Sequence, residues 1–154
     1  RLFARALPRT KSAPDDLEAR LAAQQASWLA ASTIGRVNYG ASHGIGHALG
    51  GAAGVPHGYT SCVMLPHVMR HNEPATRAKQ EMIAEALGHE GPAAEAIERL
   101  IRGLGLPATL RDAGVKREQL PAIAEAAMKA HWVRTNPQPL RAPEDVMRLL
   151  EAAW

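Results

Sequence analysis

Three of the chain's seven histidines, His43, His47 and His57, fall close together in a stretch that is otherwise small and apolar. On a helix, positions 43 and 47 lie one turn apart on the same face, so two imidazoles can address one small volume. His57 follows the run Gly50-Gly51-Ala52-Ala53-Gly54-Val55-Pro56, a break at which the chain can turn back and present a third ring. Neutral imidazole is a donor to divalent iron, zinc, nickel or copper, and histidine also titrates closest to neutrality. Metal binding and proton relay are therefore both open. The run is not the His-Glu-x-x-His protease motif, because Gly44 stands where the glutamate base would be. The plainer reading is a set of histidines packed in a glycine-rich core, each satisfied by a backbone carbonyl.

A donor count exposes a gap in the metal reading. A stable site takes four ligands, or three and an open position for water or substrate. His43, His47 and His57 together reach three, and if one of them is kept for proton transfer the set falls two short. No Asp or Glu lies between residues 36 and 72 to fill the vacancy. A metal held here needs donors from elsewhere.

The elements that must position these rings read as helices. Alanine supplies 30 of 154 residues, aromatic residues are few, and Val, Ile, Thr and Tyr never alternate with polar residues over a strand's length. The expected fold is all-α, a multi-helix, bundle-like single domain over residues 1–154 with six or seven helices. Residues 1–7 read as a helix that Pro8 ends. Asp15 and Asp16 open a second helix, whose buried face is expected to run through Leu17, Leu21, Ala22, Ala26, Leu29 and Ile34. After the glycine-rich stretch 35–58, in which Pro56-His57-Gly58 reads as a turn, a helix carries Val63, Met64, Val68 and Met69, with Pro66 in its first turns or at a kink. Asn72-Glu73-Pro74 is expected to restart a helix that runs to Leu87, capped by Gly88. Further helices cover 92–104, 116–129 and 144–154, while the three-proline segment 131–143 is expected to be a loop. The glycines Gly44, Gly46 and Gly50 do not match the dinucleotide spacing and follow no strand, so close helix packing is their expected role.

Charge and composition exclude several functions. Eighteen basic residues against fifteen acidic give a net charge of +3 with no block of like charge, which argues against a nucleic-acid partner. No apolar run is long enough to span a membrane and no secretory signal is present, so the chain is expected to be soluble and cytoplasmic. The single cysteine, Cys62, has no partner for an internal disulfide.

The runs His43-Gly44-Ile45-Gly46-His47-Ala48-Leu49-Gly50-Gly51, Pro56-His57-Gly58 and Met64-Leu65-Pro66-His67-Val68-Met69-Arg70-His71-Asn72 together resemble the signature of the iron-containing (group III) alcohol dehydrogenases. Leu104-Gly105-Leu106-Pro107, Thr135-Asn136-Pro137 and the ending from Glu144-Asp145-Val146 to Trp154 agree, so the resemblance covers essentially the whole chain. It implies the helical carboxy-terminal domain of a longer enzyme, whose amino-terminal dinucleotide-binding domain is absent here. It assigns His43 and His57 to a divalent metal, iron first and zinc second, with an Asp and a His four residues apart upstream as the other ligands. It places His47 beside the nicotinamide of NAD or NADP as a proton relay, and Trp132 at the substrate pocket. It further implies a small alcohol or aldehyde substrate, a homodimer when intact, and an isolated fragment without activity.

Two other readings stand beside this one. The related maleylacetate reductases reduce a keto dicarboxylic acid without needing the metal, and Arg134 would then matter as a carboxylate partner. A noncatalytic helical module is the third. His67 and His71 form a second pair spaced by four, and are expected on a helix surface or pocket wall.

Overall fold

The computed structural model describes residues 1–154 and contains only helices and their connections. Eight α-helices follow in order: α1 (Leu2–Ser12), α2 (Leu17–Ala31), α3 (Ala41–Ala53), α4 (His57–Leu87), α5 (Ala93–Gly103), α6 (Leu120–Met128), α7 (His131–Arg134) and α8 (Pro143–Ala153). Short 3-10 turns cover Ile34–Arg36 and Arg117–Gln119. None of the helices is long and apolar enough to cross a membrane.

One core of 19 buried residues joins α3, α4, α6, α7 and α8. Ile45 and Leu49 of α3 pack with Val63 and Met64 of α4, Leu120 and Ile123 of α6, Val133 of α7 and Val146 and Leu150 of α8. The faces expected of α6 and α8 are the ones buried, because their apolar residues recur every three or four positions. A smaller cluster of Met69, Ala84, Ala93 and Ala94 ties the second half of α4 to α5.

Several expectations need correction, and the eight helices themselves exceed the six or seven expected. Helix α1 does not end at Pro8; it runs through to Ser12, with Pro8 on its exposed side and Lys11 donating to the Gly103 carbonyl at 3.1 Å. The buried face of α2 is not the leucine face. Leu17, Leu21 and Trp28 lie within about 40° of one another around the helix at 100° per residue, and they are 79%, 56% and 71% exposed. Of the residues expected on the buried face only Ala26 is buried, together with Ala19, on the stripe opposite these three where α2 packs on α1. Alanine faces let two short helices approach closely, and periodicity alone does not say which of two faces finds a partner. The segment after Met128 is not wholly loop: His131–Arg134 form one helical turn, α7, held by the burial of Val133. His57 is not in a turn but is the first residue of α4.

Helix α4 is one element of 31 residues, with Pro66 and Pro74 inside it. It is nevertheless bent. The buried Gln80 side chain donates from Nε2 to the Met69 carbonyl at 2.7 Å, although eleven residues of straight helix would separate the two by about 16 Å. Only a bent axis brings them together. Pro74 lies between them and removes a backbone donor, which accounts for the bend without a break. Gly88 closes the helix at φ 68°, as expected of a glycine cap.

Candidate active site

Helix α3 owes its position to two glycines. A Cβ on Gly44 would stand 2.6 Å from Val133 Cγ2 of α7, and one on Gly46 would stand 2.8 Å from Thr60 Oγ1 of α4. Neither position admits a side chain, so α3 lies directly on α7 and on the first turn of α4. The expected packing role of these glycines holds. Thr60, fully buried, donates its hydroxyl to the His57 carbonyl at 2.8 Å and tightens that first turn.

The outcome is a convergence of rings. The Nε2 atoms of His43 and His47 are 3.1 Å apart. The His57 ring centre lies 5.6 Å from that of His43 and 5.4 Å from that of His47. Trp132 covers the pair, its ring 4.7 Å from His43 and 4.9 Å from His47. Tyr39 stacks on His43 at 4.3 Å with the planes 19° apart, and meets Trp132 edge to face at 5.9 Å. A cleft of about 380 Å3 beside His47 is walled by small residues of α3 and α6. The larger clefts, of about 620 and 650 Å3, include none of the three imidazoles.

Electrostatics keep the innermost ring neutral. Burial pushes the His43 pKa below 6.5, and the charges that His47 and His57 carry when protonated push it further the same way. With no carboxylate nearby in sequence to oppose this, His43 presents a lone pair at neutral pH. A single proton shared across 3.1 Å makes one imidazole the donor and the other the acceptor. Two nitrogens bound to one ion at about 2.1 Å stand about 3.0 to 3.4 Å apart, so the same spacing suits a shared cation. The closest pair is thus His43 with His47, rather than His43 with His57.

Imidazole nitrogens suit iron and zinc. Yet no group of three or more His, Cys, Asp or Glu side chains is arranged to hold a metal ion on its own. The three imidazoles are the potential donors that this cluster brings together. His67 and His71 do not join the cluster. His67 is half-buried on α4 beside Arg70, and His71 Nε2 lies 3.3 Å from the Gln138 carbonyl. Arg134 is exposed at the end of α7.

Sequence reasoning missed two residues of the site. Tyr39 carries the spacing signal, four residues before His43, but sits ahead of the helix. Asn136 registered only as part of a landmark, although its side chain accepts a hydrogen bond from the Ala41 backbone N–H at 3.0 Å.

The profile described as the Fe-containing alcohol dehydrogenase family, C-terminal, matches residues 1–154. A maleylacetate reductase of Pseudomonas sp. (strain P51) is 38% identical over 152 residues, 99% of this chain and 42% of the relative. A lactaldehyde reductase of Escherichia coli (strain K12) is 35% identical over 137 residues, 82% of this chain and 36% of the relative. The crystal structure of a 1,3-propanediol oxidoreductase superposes with a TM-score of 0.91 at 33% identity, covering 99% of this chain and 42% of that one. The chain thus spans about two fifths of the length of the proteins it resembles.

Proposed function

Because the chain belongs to the Fe-containing alcohol dehydrogenase family, as its C-terminal part, we propose that it forms the helical wall of the active site of an NAD(P)-linked oxidoreductase. The reaction is the interconversion of a small alcohol and its carbonyl compound. The observation that carries this reading is the convergence of His43, His47 and His57, with Trp132 against the first two.

His43 and His57 would hold a divalent metal, iron or zinc, with further donors supplied from outside residues 1–154. When bound, that ion supplies Lewis-acid polarisation of the substrate oxygen, and the nicotinamide supplies the hydride chemistry. The work of this chain's own residues is narrower. His47 takes up the hydroxyl proton and hands it to solvent. Trp132 and Tyr39 cover the rings and exclude water from one side. His43, neutral at working pH, keeps its lone pair for the ion.

In the complete protein, His43→Ala and His57→Ala are each expected to lower the bound-metal content and to cut kcat/KM for aldehyde reduction about a hundredfold or more. Wild-type metal content and turnover in both variants would overturn the reading. A second reading draws on the similarity to maleylacetate reductase and on the incomplete donor set: a reductase of a keto dicarboxylic acid that works without metal. Activity that survives exhaustive chelation selects it.

A further inference from the structure

Four hydrogen bonds converge on one buried side chain that the reaction described above does not use. Asn136 is 5% exposed. Its Oδ1 accepts from the Ala41 backbone N–H at 3.0 Å and from Asn72 Nδ2 at 3.2 Å. Its Nδ2 donates to Asn72 Oδ1 at 2.6 Å and to the Gln138 carbonyl at 2.7 Å. A carboxamide offers two donor hydrogens and two acceptor lone pairs, so the capacity of Asn136 is fully used. The Ala41 N–H and the Gln138 carbonyl fix which way the Asn136 amide faces, and the reciprocal pairing then fixes Asn72.

The three elements held in this way are the ones that carry the imidazole cluster. Ala41 is the first residue of α3, two positions before His43, and the preceding Gly40 provides no capping side chain. The first N–H of α3 is therefore satisfied by a residue 95 positions away. The fit is tight there too, since a Cβ on Gly40 would stand 3.0 Å from Asn136 Oδ1. Asn72 lies in α4, whose first residue is His57. Trp132, which covers His43 and His47, lies four residues before Asn136, and Thr135 in between donates its hydroxyl to the Tyr39 carbonyl at 2.8 Å.

We propose that Asn136, locked by Asn72, is a positioning residue: it sets where α3 begins relative to α4 and α7, and thereby the facing geometry of the His43 and His47 nitrogens beneath Trp132. The kinetic side of the test rests on the oxidoreductase reading; the geometric side does not. A side chain that only satisfies buried polar groups would affect folding stability and nothing else.

The test uses the complete protein, labelled with 15N at histidine and free of metal, as wild type, Asn72→Ala and Asn72→Asp. Both variants remove the donation from Asn72 Nδ2 to Asn136 Oδ1; Asn72→Ala also removes the acceptor for Asn136 Nδ2, whereas Asn72→Asp keeps an acceptor but sets a carboxylate oxygen against Asn136 Oδ1. The long-range 1H–15N resonances of His43 and His47 are expected to shift in both variants. In the metal-loaded enzyme kcat is expected to fall about tenfold or more with the coenzyme KM unchanged within about twofold, the pattern of lost alignment rather than lost binding. Unmoved histidine resonances and unchanged kcat in the variant that folds, with only a lower Tm, would overturn the proposal. If the wild type itself turns over no alcohol or carbonyl substrate, the oxidoreductase reading fails, and the histidine spectra still decide the positioning role.

Discussion

At the scale of single residues, the imidazoles divide into those that meet and those that stand apart. His67 belongs to the second group. Burial pushes its pKa below 6.5, Arg70 pushes it the same way, and Glu98 opposes them. The unfolded chain then binds the proton more readily than the folded one, so stability rises with pH in this range. The contribution of a neutral His67 is complete above pH 6.5 and is lost as the pH falls through 6.5 towards the lower folded value. Thermal melts of wild type and His67→Gln are therefore expected to differ by a constant Tm above that pH. Below it the wild type should lose stability that the variant keeps, and parallel curves down to the acid limit would contradict the assignment. The residues themselves were unequally legible in the sequence. His43 and His47 announce themselves because a helix converts a spacing of four into proximity. Asn136 and Asn72 do not, because they are 64 positions apart and nothing local ties them.

At the scale of elements, the seam between α3 and its neighbours is set by backbone approach. Gly44→Ala brings a Cβ to 2.6 Å from Val133 Cγ2 and 3.2 Å from the Val133 backbone nitrogen. Part of that clash cannot be relieved by a rotamer change, so a loss of about 1 to 3 kcal/mol is expected in chemical denaturation. Gly51 on the same helix meets nothing within 4 Å and is exposed. Gly51→Ala should stabilise by about 0.5 to 1 kcal/mol, because alanine favours the helix and no neighbour opposes it. Equal effects at the two positions would mean that the seam is not close-packed. Where sequence reading succeeded with helices, as in α6 and α8, the apolar residues all lie on one face. It failed for α2, which carries leucines on one side and alanines on the other, and the alanine side is the one that found a partner. It also broke α4 at Asn72-Glu73-Pro74, where the helix continues with a bend at Pro74.

At the scale of the whole molecule, two features point the same way. No three His, Cys, Asp or Glu side chains are arranged to hold a metal ion on their own, and the stripe of Leu17, Leu21 and Trp28 faces outward. A contiguous apolar stripe of this kind suits contact with another protein surface. Residues 1–154 by themselves are therefore expected to reduce no aldehyde at the expense of NADH or NADPH, as followed by absorbance of the reduced nicotinamide. Turnover by this chain alone would show that the wall described here is a complete site. The family and the helical class were legible because the histidine motif and the alanine-rich composition are both local properties. Which faces are covered is not a local property.

The hydrogen bond from Ala41 to Asn136 also bears on the order in which the molecule assembles. Closing a loop of 95 residues gives up chain entropy before the contact returns any enthalpy. Local pairings such as α1 with α2 need no such closure. The two histidines of α3 can lie on one helical face as soon as a single turn forms, but their anchored register must wait for the last quarter of the chain. A chain that stops short of Asn136 would carry the histidine spacing without the anchored geometry.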